Sequence, residues 1–214
     1  DPSWQALAQR RNYGLLACRL QGDFYYIAGG WSGAVLLEAI GKLAASSGRP
    51  GLKDARLAFF GHSAGGQFSC SFVDWRPERV LAFAACKGNF KEWKLDTRKR
   101  TVPGLWIIGR KDSETIAEDM TGSFCEGRRL GAPWALALEP DGGHAIGPGR
   151  ELAIAFFESV MAPPGNAPWI GDLRTHEVVP ASAPTPDLRL NSWLPDEAFA
   201  EVWQNFTKGK MPPP

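Results

Sequence analysis

The residues with the clearest chemical potential lie in Gly61-His62-Ser63-Ala64-Gly65-Gly66, where an apolar run ends and an amphipathic stretch begins. The G-x-S-x-G spacing suits a sharp turn from a strand into a helix. Gly61 and Gly65, two positions either side of Ser63, lack the side chains that a strained backbone would crowd. A hydroxyl presented on such a turn becomes a nucleophile only with a base beside it, and the base needs an acid to orient it. The N–H of Ala64, at the helix start, points to where an oxyanion would form. Taken alone, the stretch also reads as a glycine-rich turn with no chemistry.

Three histidines are available as the base. His62 sits inside the turn itself, and neighbouring side chains of an extended segment point in opposite directions. His176 falls in a Pro-rich stretch. His144 lies in EPDGGHAIG, directly after an apolar run and before a helical one, and is the candidate base; a structural loop histidine is its alternative. For the acid, Asp112 in WIIGRKDSE follows another apolar run, with Glu114 as its nearest rival. Asp141 stands too close to His144 in sequence to serve it well. Asp112 could instead cap a helix. Trp31 and Trp93 are candidates for a substrate pocket, although packing competes for each of the nine tryptophans.

These residues need a frame. Apolar runs at 14–20 (GLLACRL), 55–60 (ARLAFF), 80–86 (VLAFAAC), 104–108 (GLWII) and 134–138 (WALAL) read as buried parallel strands. Helix-like stretches at 4–11, 32–45, 64–74, 113–120 and 150–161 alternate with them. The pattern predicts an α/β fold, a mainly parallel sheet flanked by helices. Such sheets bind ligands at the carboxyl ends of their strands, where Ser63, Asp112 and His144 all fall. Beyond Met161 the texture becomes Pro-rich. A last helix is expected over 195–206, with Pro195 in its first turn and Phe199, Val202, Trp203 and Phe206 on one face. This divides the chain into a catalytic part, 1–161, and a wrapping tail of the same domain, 162–214.

Composition narrows the partners. With 44% hydrophobic and 22% charged residues, the 214-residue chain has the makings of a full core. A net charge of +1 gives no electrostatic reason to expect nucleic acid or an anionic membrane. The basic stretch 91–100 reads as a solvated loop. No apolar run reaches the roughly 18–20 residues of a membrane span. The four cysteines lack CxxC spacing, which argues against a metal site. Cys18 and Cys86 sit in apolar runs and read as buried thiols, while disulfide state and redox compartment stay open.

In combination, FFGHSAGGQFS, GLWIIGRKD and LEPDGGHAIG resemble the nucleophile, acid and base segments of the α/β-hydrolase superfamily, over about residues 4–161. Within it the chain resembles compact bacterial esterases related to polyhydroxyalkanoate depolymerases and dienelactone hydrolases. The resemblance implies an α/β-hydrolase fold and a Ser63-His144-Asp112 triad without cofactor. It also implies a small-molecule or polymeric ester as substrate. Location stays open, with bacterial secreted or periplasmic slightly favoured over cytoplasmic. A peptidase or acyltransferase on the same fold, or a noncatalytic binding module, are the alternatives. Members of the superfamily usually take a second oxyanion donor from an early strand–helix loop, and residues 4–11 resemble the helix after that loop. The expectation is therefore an N-terminally incomplete fold lacking its first strands, with a separate N-terminal fragment as a partner. The stretch 86–103 is too short for a large lid domain, so an open site is expected.

Overall fold

Four of the apolar runs form one parallel sheet: β1 (Leu57–His62), β2 (Val80–Cys86), β3 (Gly104–Gly109) and β4 (Trp134–Glu139), hydrogen-bonded in that order. The computed structural model describes residues 1–89, 96–163, 166–183 and 187–210. Side chains alternate across the sheet with the strand period of two. Phe83, Ala85, Trp106, Ile108 and Trp134 face one core, while Ala82, Ala84, Leu105, Ile107 and Ala135 face the other. The expected parallel α/β architecture, with helices against the sheet, is thus present.

The two faces are filled differently. On the first, Phe83, Trp106 and Trp134 stack edge to face, with centroids 5.4–5.9 Å apart. Such pairs add about 0.5–1.5 kcal/mol each beyond the area they bury. Helices α2 (Gly33–Ser46), α3 (Ala64–Trp75) and α4 (Glu114–Arg129) contribute apolar residues to this core. Gly127 of α4 lets Trp134 in, since a Cβ there would lie 2.0 Å from the indole. The second face, smaller in its strand side chains, receives α1 (Pro2–Arg11), α5 (Gly149–Val160) and α6 (Glu197–Thr207). Trp4 of α1 packs on Phe60 and Phe157, and Arg10 of α1 pairs with Glu158 of α5.

The run 14–20 departs from expectation. It joins no sheet, and Leu15 and Leu16 are 53% and 42% exposed. An apolar composition makes a strand only where a neighbour can pair its N–H and C=O groups, and neither sheet pairs with this run. Cys18 is consequently exposed and not buried, whereas Cys86 and Cys70 are buried; all four cysteines are free thiols.

The region after Met161 is more ordered than a Pro-rich loop. Strands β5 (Trp169–Asp172), β6 (Val178–Pro180) and β7 (Asn191–Leu194) form a small antiparallel sheet with β5 at its centre. Beside β4, the Ser192 hydroxyl accepts the Leu136 N–H at 2.9 Å and donates to the Leu136 carbonyl at 3.0 Å. Arg128, 4% exposed, donates to the carbonyls of Asn191 and Ala132; burial lowers its pKa to about 10. The last helix starts later than expected. Asp196 caps it by accepting the Phe199 N–H at 2.8 Å, which leaves Pro195 outside the first turn. Its inner face is nonetheless the expected one: Phe199, Trp203 and Phe206 are buried. Among the described residues no helix is long and apolar enough to cross a membrane.

Candidate active site

Ser63 stands between β1 and α3 with φ 53° and ψ −122°, a conformation that L-residues rarely adopt. Such backbone costs of order 1–3 kcal/mol and persists only where its surroundings dictate it. They do so here through close backbone packing. The Ser63 N–H donates to the Cys86 carbonyl at 2.9 Å. A Cβ on Gly61 would lie 2.0 Å from the Gly65 carbonyl oxygen, and one on Gly88 would lie 2.0 Å from that of Ser63. Gly65 differs from expectation: a Cβ there would meet nothing within 4 Å, and it is the Gly65 carbonyl that requires Gly61 to be small. Ala64 is the first residue of α3, so its N–H has no acceptor within the helix.

Asp112 follows β3, and its side chain is 4% exposed. Both carboxylate oxygens face His144 Nδ1, at 3.0 and 2.9 Å. Oδ1 also accepts the Ser113 N–H at 2.7 Å. Asp112 is not the cap of α4; Ser113 occupies that position. Of its rivals, Asp141 is 89% exposed and pairs with Lys111, and Glu114 opens the first turn of α4.

His144 lies in the turn that follows β4, with Nε2 3.0 Å from Ser63 Oγ. An ionised carboxylate only accepts hydrogen bonds, so it selects the tautomer with hydrogen on Nδ1. That leaves Nε2 as the acceptor for the Ser63 hydroxyl. The loops bearing Asp112 and His144 interlock through their backbones. The Lys111 N–H donates to the Gly142 carbonyl at 2.8 Å and the Arg110 N–H to that of Glu139 at 3.0 Å. Three side chains from three strand ends thus converge on one point. His176, by contrast, sits in the tail, where its ring approaches Trp203.

His62 is engaged elsewhere than with the Ser63 hydroxyl. Its Nε2 donates to the His144 carbonyl, and the two rings lie 5.0 Å apart. Burial pushes its pKa below the usual 6.5, opposed by that hydrogen bond; the Lys87 ammonium nearby lowers it further and the Asp112 carboxylate raises it. A neutral ring with hydrogen on Nε2 suits the bond it makes. The Cys86 thiol, close by, is pushed up to about 12 by burial and holds its proton.

Sequence reading missed Gly88, Lys87 and Glu139. Lys87 follows β2 in a left-handed conformation (φ 53°) and is 1% exposed. Its ammonium donates to Glu139 Oε2 at 2.7 Å and to the Ala145 carbonyl. A charged residue closing an apolar strand was the available hint, but its partner stands 52 residues away.

A cavity of about 230 Å³ opens beside Ser63, lined by Gln67, Lys87, Asn89, Ser113, Ile116 and Asp119 among others. Trp31 is not in that lining. Its turn docks on the far half of α3, where the Ala28 N–H donates to Ser71 Oγ, and the Trp31 indole donates to the Asp23 carbonyl. At 1.5 Å per helical residue, Ser71 lies roughly 10 Å along the axis from the start of α3. Trp93 falls outside the described residues.

No protein-family model matches the chain. No curated protein matches its sequence either. Among solved structures, the Pyrococcus furiosus esterase Pf2001 is similar with a TM-score of 0.48 and 13% sequence identity, over 75% of this chain and 76% of that one. A likeness this distant bears on neither the activity nor the substrate of the present chain.

Proposed function

We propose that the chain is a serine-dependent carboxylic-ester hydrolase in which Ser63 is the nucleophile, His144 the base and Asp112 the orienting acid. The observation that supports this reading is the unbroken polar line from Asp112 through His144 to Ser63 Oγ, with bonds of 2.9 and 3.0 Å. Its nucleophile sits on strained backbone and its acid is buried. In this reading Ser63 Oγ attacks the ester carbonyl while Nε2 of His144 takes its proton. The tetrahedral oxyanion forms against the Ala64 N–H at the helix start. Collapse expels the alcohol, which receives the proton from Nε2 and leaves Ser63 acylated. Water, deprotonated by the same nitrogen, attacks the acyl carbon; the acid is released as the bond to Ser63 Oγ breaks and Oγ takes the proton back from Nε2. Asp112 stabilises the imidazolium at each proton transfer and keeps the ring in the productive tautomer. A cavity of about 230 Å³ suits short acyl groups.

Incubation with a fluorophosphonate probe, followed by mass analysis of the labelled peptide, tests the assignment. Labelling at Ser63 that vanishes in Ser63→Ala is expected. A probe adduct that survives in Ser63→Ala overturns the site, and absence of any adduct on folded protein turns the reading toward a binding module. Chromogenic esters of graded acyl length, run beside the matching anilides, then separate ester from amide hydrolysis.

A further inference from the structure

Lys87 and Glu139 form a buried ion pair, with side chains 1% and 13% exposed, at the carboxyl ends of β2 and β4. A fully buried lysine is rare without a partner, and taking both charges out of water is costly. The pair must therefore be judged by what it holds. The Glu139 carboxylate fills the inside of the turn that carries His144. A Cβ on Gly142 would lie 2.2 Å from Oε2, and one on Gly147 would lie 2.8 Å from Oε1. From this anchor the Lys87 ammonium also donates to the Ala145 carbonyl, while His62 donates to the carbonyl just before it, that of His144. Two consecutive carbonyls of the base loop are thus fixed from the ends of β2 and β1, and the imidazole itself is fixed from the end of β3 by Asp112.

We infer that Lys87, held by Glu139, is a positioning residue that sets the distance from His144 to Ser63; the inference rests on the serine-hydrolase reading. Lys87 acts through the Ala145 carbonyl and the loop backbone, so its effect belongs to proton transfer at His144 Nε2. Displacing a reacting group by about 1 Å can cost about 10²-fold in rate, because the near-attack geometry is lost.

The test measures turnover of p-nitrophenyl acetate, with fluorophosphonate labelling alongside, in wild type, Lys87→Met, Lys87→Met/Glu139→Gln and Ser63→Ala. Lys87→Met is expected to lower kcat about 10- to 100-fold with KM within about twofold. The double variant leaves no orphaned charge and is expected to fold with the same loss in kcat. It decides the matter if the single variant does not fold. Wild-type kcat in the folded double variant, or a loss confined to KM, overturns the positioning role. If wild type is labelled at Ser63 but the two Lys87 variants turn over normally, only this inference falls. If wild type is unlabelled, or Ser63→Ala still labels, the hydrolase reading falls and takes this inference with it.

Discussion

The turn that presents Ser63 and the turn that presents His144 are held by different means. Around Ser63 the contacts are made of backbone: Gly61 against Gly65, Gly88 against Ser63, and the Ser63 N–H on the Cys86 carbonyl. Around His144 they are side-chain bonds arriving from other strand ends, from His62, Lys87 and Asp112, with Glu139 at the end of β4 holding the Lys87 ammonium. The first device tolerates almost no added volume but is indifferent to charge. The second tolerates volume at His144, which is 45% exposed, but depends on protonation and on each polar partner staying in place. In the proposed mechanism the nucleophile needs a fixed backbone, and the base a fixed ring.

This contrast can be broken at either turn. On the proposed hydrolase reading, Ser63→Ala removes the attacking oxygen and is expected to cost about 10⁶ in kcat while leaving the melting temperature unchanged. Asp112→Asn keeps the shape but favours the wrong imidazole tautomer. A kcat loss of about 10⁴ is expected, with KM little changed. Gly88→Ala probes the steric device. Its methyl must intrude on the Ser63 carbonyl, and thermal unfolding should report a destabilisation of about 1–3 kcal/mol or more together with lost activity. Gly65→Ala is the companion measurement. With open space at its Cβ and a helical position, it should hold or raise stability, by up to about 1 kcal/mol. Equal damage from both alanines would refute the steric account.

The smallest effect expected is that of pH on the polar device. The folded chain holds the pKa of His62 below 6.5, whereas the unfolded chain releases it to the ordinary value. Below that value the unfolded state binds the proton first. Stability from a neutral His62 is therefore complete above pH 6.5 and declines as pH falls through and below it. Melting temperatures at pH 8 and pH 5 should converge more closely in His62→Gln than in wild type. An identical acid slope in both would show that His62 titrates no differently in the two states.

Each device was legible in the sequence only in part. Gly61 and Ser63 stand within one short motif whose spacing encodes its own geometry. Asp112 and His144 were legible because each follows an apolar run, and parallel strands bring their carboxyl ends together. Lys87 and Glu139 left only the oddity of a charge at a strand end, since nothing local says which distant residue a buried charge will meet. The run 14–20 shows the converse failure. It is apolar and strand-like, but pairing depends on a neighbour, and the sheet supplies none. The small sheet of the tail escaped notice for a related reason, because strands of four residues or fewer are too brief for alternation to stand out among prolines.

Ser192 has a consequence for how the protein behaves in a crowded solution. Along β4 the outward amide of Leu136 would invite another chain to add itself, as open β-edges do. The Ser192 hydroxyl gives and takes one hydrogen bond there, and the Trp203 indole occupies the same carbonyl at 2.7 Å. Two side chains thus stand in for a fifth strand. Ser192 and Trp203 are both fully buried, so the edge is bared only when the tail detaches. Ser192→Ala orphans the buried Leu136 N–H and should destabilise the fold by about 1–3 kcal/mol, with light scattering rising at that lowered melting transition and not before it.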